Sequence, residues 1–248
     1  MHLHLLALVY LPLQGFAIPR CLRLSLCHRW RGMAMSDKIV FADVETTGLN
    51  SSDRIVSIGL ISVSEAALRS GGFGADTIHL VFDPGKKSHP KAEAVHGYDD
   101  WILRHQGAFS AYADQVRPLF DGARMAVAHN ASFDSQFIRA EFAAVGMPLL
   151  TPFYCTMEAF RARHIGSARL DTVLARIDWR LARQSSRHSA LADAWHAMQV
   201  YSWLNGYPVH LMPEQIASPP TNLVEPPQHP GFPLPRRKRR PISDGGGS

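Results

Sequence analysis

The chain has 248 residues, 46% hydrophobic and 19% charged, the make-up of a globular protein with a packed core and room for one substantial domain with extensions. Its net charge of +5 does not belong to that core: residues 1–36 carry four Arg and no acid, residues 206–248 carry five basic residues against three acids, and residues 37–205 hold 17 basic and 18 acidic residues. This speaks against a broadly basic nucleic-acid-binding surface and leaves long-range attraction to polyanions to the ends.

Of the three Cys, Cys21 and Cys27 stand in the leader and Cys155 alone in the body. A disulfide framework is therefore not expected there, which points to a reducing compartment, the cytoplasm. Cys21, Cys27 and neighbouring His28 fit no common zinc spacing.

The leader (residues 1–36) has a short apolar run broken by Pro12 with no basic segment before it, so it makes a poor signal peptide and is too short for a membrane span. Arg-rich and free of acids, it reads either as an organellar transit peptide or as sequence upstream of a true start at Met33 or Met35. The second reading is favoured, because "MSDKIV" opens the first strand naturally. The segment is expected to be poorly ordered, and no membrane association is expected.

Lys38–Val44 and Arg54–Val63, rich in Ile and Val around a Gly/Asn/Ser turn, predict a hairpin, and Thr77–Phe82 a third strand stopped by Asp-Pro-Gly. A loop, a helix over Ala111–Phe120 and a fourth strand over Arg124–Ala128 follow. The next helix starts with Ser132 as N-cap, aligns Phe133, Phe137, Ile138, Phe142 and Val145 on one face, and ends at Gly146 and Pro148. Phe153–Thr156 predicts a fifth short strand and Ser189–Leu204 a last helix with Leu191, Trp195 and Met198 on one side. Three antiparallel strands followed by βα units predict an α/β fold, a mixed sheet covered by helices, over residues 37–205. The tail (206–248) is dense in Pro and is expected to be extended and disordered. Its "RRKRR" reads as a nuclear signal, a nucleic-acid tether or a plain solvated basic run.

In "KIVFADVETTGLN" (Lys38 to Asn50), Asp43 and Glu45 interrupt what otherwise reads as a buried strand. Residues two apart share one strand face, and buried carboxylates are costly unless paired or bound to a cation. "AHNASFDSQFI" puts Asp134 in the first turn of a helix, where free N–H groups favour a carboxylate and where α/β sheets place their sites. "RHSALADAW" puts Asp193 in the first turns of the last helix with His188 just before it. Taken singly, these are a strand-edge acid pair, two helix-start acids and a loop histidine. Taken together, four acids on three elements with a nearby His suit metal-assisted phosphodiester hydrolysis. In that chemistry two divalent ions about 3.5–4 Å apart clamp the attacking and leaving oxygens, held by a few carboxylates, and a neutral His can take the proton of the attacking water.

The stretches "FADVETTGL", "VHGYDDWIL", "AHNASFDSQFI" and "RHSALADAW", in this order across residues 37–205, resemble the motif series of the DEDDh (DnaQ-like) 3′→5′ exonucleases, the family that includes the proofreading epsilon subunit of bacterial DNA polymerase. "YCTMEAFRARHIGSARLDTVL" resembles the family's Cys-Thr stretch and the helices after it. The resemblance implies a ribonuclease H-like mixed five-stranded sheet flanked by helices. It implies that Asp43, Glu45, Asp134 and Asp193 bind two divalent ions, Mg²⁺ or Mn²⁺, with His188, five residues before Asp193, as general base. It further implies that Glu45 and Thr46 contact the terminal nucleotide, that Leu49 wedges against its base, and that His96 lies near the substrate, although a turn-stabilising role for His96 is equally consistent.

The expected function is removal of nucleoside 5′-monophosphates from the 3′ end of a nucleic acid, DNA favoured and single strand favoured, with a DNA polymerase as a possible partner. Two alternatives stay open: an RNA-trimming exoribonuclease of the same family, and a catalytically idle nucleic-acid-binding or polymerase-tethering module.

Overall fold

The computed structural model describes residues 36–72, 74–182, 187–234, 236 and 237. The leader and most of the basic run lie outside these residues, and so do the expectations made for them. Strands β1 (Lys38–Thr46) and β2 (Ile55–Ser64) are followed by α1 (Glu65–Ser70), β3 (Asp76–Val81), α2 (Pro90–His96), α3 (Asp100–Leu103) and α4 (Ala113–Phe120). Next come β4 (Met125–Ala128), α5 (Ala131–Ala144), β5 (Phe153–Cys155), α6 (Thr156–Arg163), α7 (Leu170–Ile177) and α8 (Ala190–Leu204).

The strands form one sheet of order β3-β2-β1-β4-β5, with β1 antiparallel to β2, β2 to β3, and the β1–β4 and β4–β5 pairs parallel. β1 and β2 are buried almost throughout, as strands with helices on both faces must be. Alternation along β1 then sorts its side chains. Val40, Ala42 and Val44 join Phe120, Phe137, Ile138 and Phe142 in one core cluster under α4 and α5. Ile39 and Phe41 join Leu191, Trp195 and Met198 of α8 in the other. Asp43 and Glu45 continue the second row, so both carboxylates lie on the face that α8 covers.

α8 reaches that face because of Gly59. Gly59 pairs with Asp43 across the hairpin, and a Cβ on it would stand 2.1 Å from Leu191 N and 2.2 Å from Ala190 C. Only a residue without a side chain lets the first turn of α8 rest on the sheet here. The hairpin loop is fixed by Asp53, whose carboxylate accepts from Thr47 Oγ1 (2.8 Å), the Asn50 N–H (2.9 Å) and Lys86 Nζ (2.6 Å). Burial raises the Asp53 pKa, but these donors outweigh it and hold the group at about 2.

The structure departs from the sequence reading in three places. The helix expected from a Ser132 cap starts two residues earlier: Asn130 is the N-cap, with non-helical backbone (φ −141°, ψ 61°), and its carbonyl accepts from the Phe133 N–H at 2.8 Å. The loop expected after β3 contains α2 and α3, each started by a side-chain cap, His89 to Lys91 N and Asp99 to Ile102 N. The C-terminal segment is extended, as its Pro content implies, but it is not detached. Ile216 is buried in the α8 cluster, and the Asn222 side chain pairs with both the N–H and the carbonyl of Val81, closing the edge of β3. Further along, Arg237 of the basic run forms ion pairs with Asp83 and Asp100.

Substituting Gly59→Ala should cost on the order of 1–3 kcal/mol, because α8 must lift off β2. A thermal melt reads this as a clearly lowered midpoint, and an unchanged midpoint would show that α8 does not depend on the close approach.

Candidate active site

The end of β1 is shaped by a register shift between Glu45 and Thr46, where Thr46 pairs with Ile55 rather than continuing the ladder. Such a shift re-aims the side chains at a strand end. Glu45 is buried and Asp43, two residues earlier on the same face, is half-buried. From above, α8 brings Asp193 in its first turn, also buried, and His188 from the preceding loop. The ligand atoms of Glu45, His188 and Asp193 all lie within 4.8 Å of one another, the group of metal-ligating character found among the described residues. His188 Nδ1 is 3.3 Å from Asp193 Oδ2.

Asp134 enters from α5. Its Oδ1 accepts from the Val44 N–H at 3.1 Å, which ties the helix start to β1 between the two acids of that strand. Asp134 is 3% exposed. Burial pushes its pKa up to about 7; the Val44 N–H works against this, and the charges of Glu45 and Asp193 add to the rise. The structure therefore brings Glu45, Asp134, Asp193 and His188 into one electrostatic unit, with Asp43 beside it and outside the tightest group.

The remaining predicted residues surround this unit. Leu49 is 81% exposed at the tip of the hairpin loop, while Thr46 is buried and donates its hydroxyl to the Gly48 carbonyl at 2.6 Å. His96 does what its turn-stabilising reading requires, since its Nδ1 accepts from the Tyr98 N–H at 3.0 Å. Burial lowers its pKa to about 4, so the ring is neutral. The same ring lines a cavity of about 830 Å³ together with His188 and Asp193. Tyr98 is raised to about 12, by burial first and then by the Glu45 charge.

Two histidines at the site carry no signal that the sequence reading used. His196 is buried one turn after Asp193, with Nδ1 3.4 Å from Asp193 Oδ1, so Asp193 has an imidazole at each oxygen. The i, i+3 spacing was the available clue. His129 lies just after β4 and bridges Thr156 Oγ1 (2.9 Å) and the Ala168 carbonyl (2.8 Å), joining the β4–α5 turn to the starts of α6 and α7.

A mixed five-stranded sheet flanked by helices, with acids gathered at the end of its central strand, is the ribonuclease H-like fold. The exonuclease family (RNase_T) matches residues 40–201, and the chain belongs to that family. Similar proteins include the DNA polymerase III epsilon subunits of Escherichia coli K12, 29% identical over 70% of this chain and 73% of the relative, and of Pasteurella multocida, 27% identical over 71% of each. Among solved structures, a zinc-bound complex of E. coli ExoI with ssDNA matches with a TM-score of 0.57 and 18% identity, over 69% of this chain and 41% of that one. Exonuclease I in its apo form matches with a TM-score of 0.56 and 17% identity, over 69% and 42%. At that identity the likeness is one of fold.

The raised Asp134 pKa fixes the sign of a pH effect. The folded group binds its proton more tightly than the unfolded one, so its ionisation costs nothing below about pH 4 and its full penalty is present above about pH 7. In EDTA, Asp134→Asn should therefore stabilise the protein at pH 8 by on the order of 1–3 kcal/mol and have little effect at pH 4. Melting curves of the two proteins at both pH values test this, and a variant no more stable at pH 8 would refute the cost of burying the ionised group.

Proposed function

We propose that this chain is a metal-dependent 3′→5′ exonuclease that releases nucleoside 5′-monophosphates from the end of a nucleic acid, DNA in preference to RNA. The observation that carries the reading is the convergence of Glu45, His188 and Asp193 within 4.8 Å, with Asp134 buried alongside. Oxygen donors of one sign crowded in a buried place suit hard divalent cations. Asp43, Glu45, Asp134 and Asp193 would hold two such ions, Mg²⁺ or Mn²⁺. When bound, these ions supply charge stabilisation to the attacking and leaving oxygens of the phosphodiester.

The chain's own residues do the rest. With Nδ1 turned toward Asp193, His188 takes the proton of the attacking water at Nε2. Asp193 holds that ring in orientation and stabilises its protonated form, while His196 holds Asp193 from the other side. Asp134, anchored on the Val44 N–H, fixes α5 against β1 so that the acids of three elements keep their spacing. Leu49 is exposed where it can wedge against a terminal base, with Glu45, Thr46 and His96 positioning the nucleotide. A DNA substrate and a polymerase partner are favoured by the relatives, which are named DNA polymerase III epsilon subunits. The cytoplasm is the compartment that fits a single Cys in the domain.

The test uses the full chain with 5′-labelled single-stranded DNA and RNA of equal sequence, in Mn²⁺ or EDTA. A ladder shortening from the 3′ end is expected in Mn²⁺ only, faster on DNA and absent for Asp43→Ala. His188→Ala should lower kcat by about 10²–10⁴-fold. Faster shortening of RNA would move the assignment to an exoribonuclease. Intact substrates with binding retained would make the chain an idle nucleic-acid-binding module.

A further inference from the structure

The cavity of about 830 Å³ that holds His188 and Asp193 has lining of two unlike kinds. One is cationic: Arg180, which pairs with Asp178, and Arg187, both from the stretch before α8. Arg187 packs over Gly97, where a Cβ would come within 3.2 Å of its Cδ. The other is apolar and comes from the C-terminal segment, through Leu211, Met212, Pro219 and Pro220. Leu211 is 49% exposed, so the segment offers the cavity apolar surface that the core does not absorb.

This apolar lining is a fixed wall. Ile216 is fully buried in the α8 cluster, the Ser218 carbonyl lies 3.0 Å from His79 Nδ1, and the Thr221 N–H donates to the His79 carbonyl at 2.9 Å. With the Asn222 pairing to Val81, these contacts hold the segment on both sides of Pro219 and Pro220. It also lies outside residues 40–201, the part of the chain that matches the exonuclease family.

We infer that residues 211–220 form the base-side wall of a strand-binding cleft, which takes the unpaired nucleotides just upstream of the cleaved end; the inference rests on the exonuclease reading of the neighbouring acids. Apolar side chains such as Leu, Met and Pro pack against base faces with no hydrogen-bond readout of sequence, while guanidinium groups draw the phosphates. Only unpaired bases offer their faces in this way, so the substrate class is a single strand. Continuity of the wall with His188 and Asp193 makes the occupant the same strand whose end is cut.

The experiment compares the full chain with the double variant Leu211→Ser, Pro219→Ser and with Leu211→Trp. Both sites of change are exposed, so equal melting temperatures are required first. Binding of a 5′-fluorescein single-stranded 12-mer is read by anisotropy in EDTA, and shortening of the same strand in Mn²⁺. The double Ser variant should bind about tenfold more weakly, and Leu211→Trp at least as tightly as the parent. Parent and double variant binding within twofold of each other overturns the wall, as does a parent that does not bind. Shortening reports separately: predicted binding with no shortening removes the exonuclease reading and leaves the wall standing, whereas shortening with unchanged binding does the reverse.

Discussion

The constraint on which this structure turns is the burial of like charges. Glu45, Asp134 and Asp193 are each less than a tenth exposed and act on one another through a low-dielectric interior. A chain selected for stability alone would not gather them. Elsewhere in the same molecule buried acids sit against cations: Asp53 against Lys86, Glu141 against Arg54, and Asp100 against Arg104 and Arg237. For Asp53 and Asp100 the pKa follows the partner. Burial raises Asp53 and Asp100, yet their hydrogen-bonded cations bring both below the ordinary carboxylate range. At Asp134 burial raises the group, and the neighbouring charges raise it further. Two outcomes of burial within one small domain separate acids that hold the fold from acids that the fold is built to hold.

Holding them takes rigidity from both faces of the sheet. On one face Phe137, Ile138 and Phe142 seat α5 against Val40, Ala42 and Val44, and this registers Asp134 on the Val44 N–H. On the other, Leu191, Trp195 and Met198 seat α8 against Ile39 and Phe41, and Gly59 lets its first turn come down far enough for Asp193 to meet Glu45. The apolar rows of β1 are therefore also the positioning device of its acids, because the packing side chains and the two acids belong to the same nine residues.

Much of this was legible in the sequence because the decisive signals are local. The two-residue spacing of Asp43 and Glu45, the helix-start positions of Asp134 and Asp193, and the Ile/Val pattern of the hairpin are all set within a few residues. What was not legible depends on partners far away in the chain. Ser132 resembles a cap as closely as Asn130 does, and only the backbone angle of Asn130 decides between them. The tail reads as disordered because its composition lacks periodicity, but Asn222 finds a sheet edge 141 residues earlier, and that pairing has no local signature. His196 looks like one more polar residue in a helix until Asp193 is seen to be shared between two imidazoles.

The position of the tail gives the division of labour a physical logic. On the proposed function the acids would hold a phosphodiester end, while the domain body, with 17 basic and 18 acidic residues, carries almost no net charge with which to attract the rest of a strand over long range. Discrimination between kinds of strand has to come from contact surface beside the acids. The segment after α8 is well suited to supply it. Apart from Ile216, which is buried in the α8 cluster, and the contacts of Ser218 and Thr221 with His79, it is anchored by an edge pairing that asks little of its other residues. Its prolines keep it extended with little loss of entropy on ordering. On the inference drawn above, a core of fixed geometry would keep one chemistry while the segment laid over its sheet edge would set which substrate reaches it.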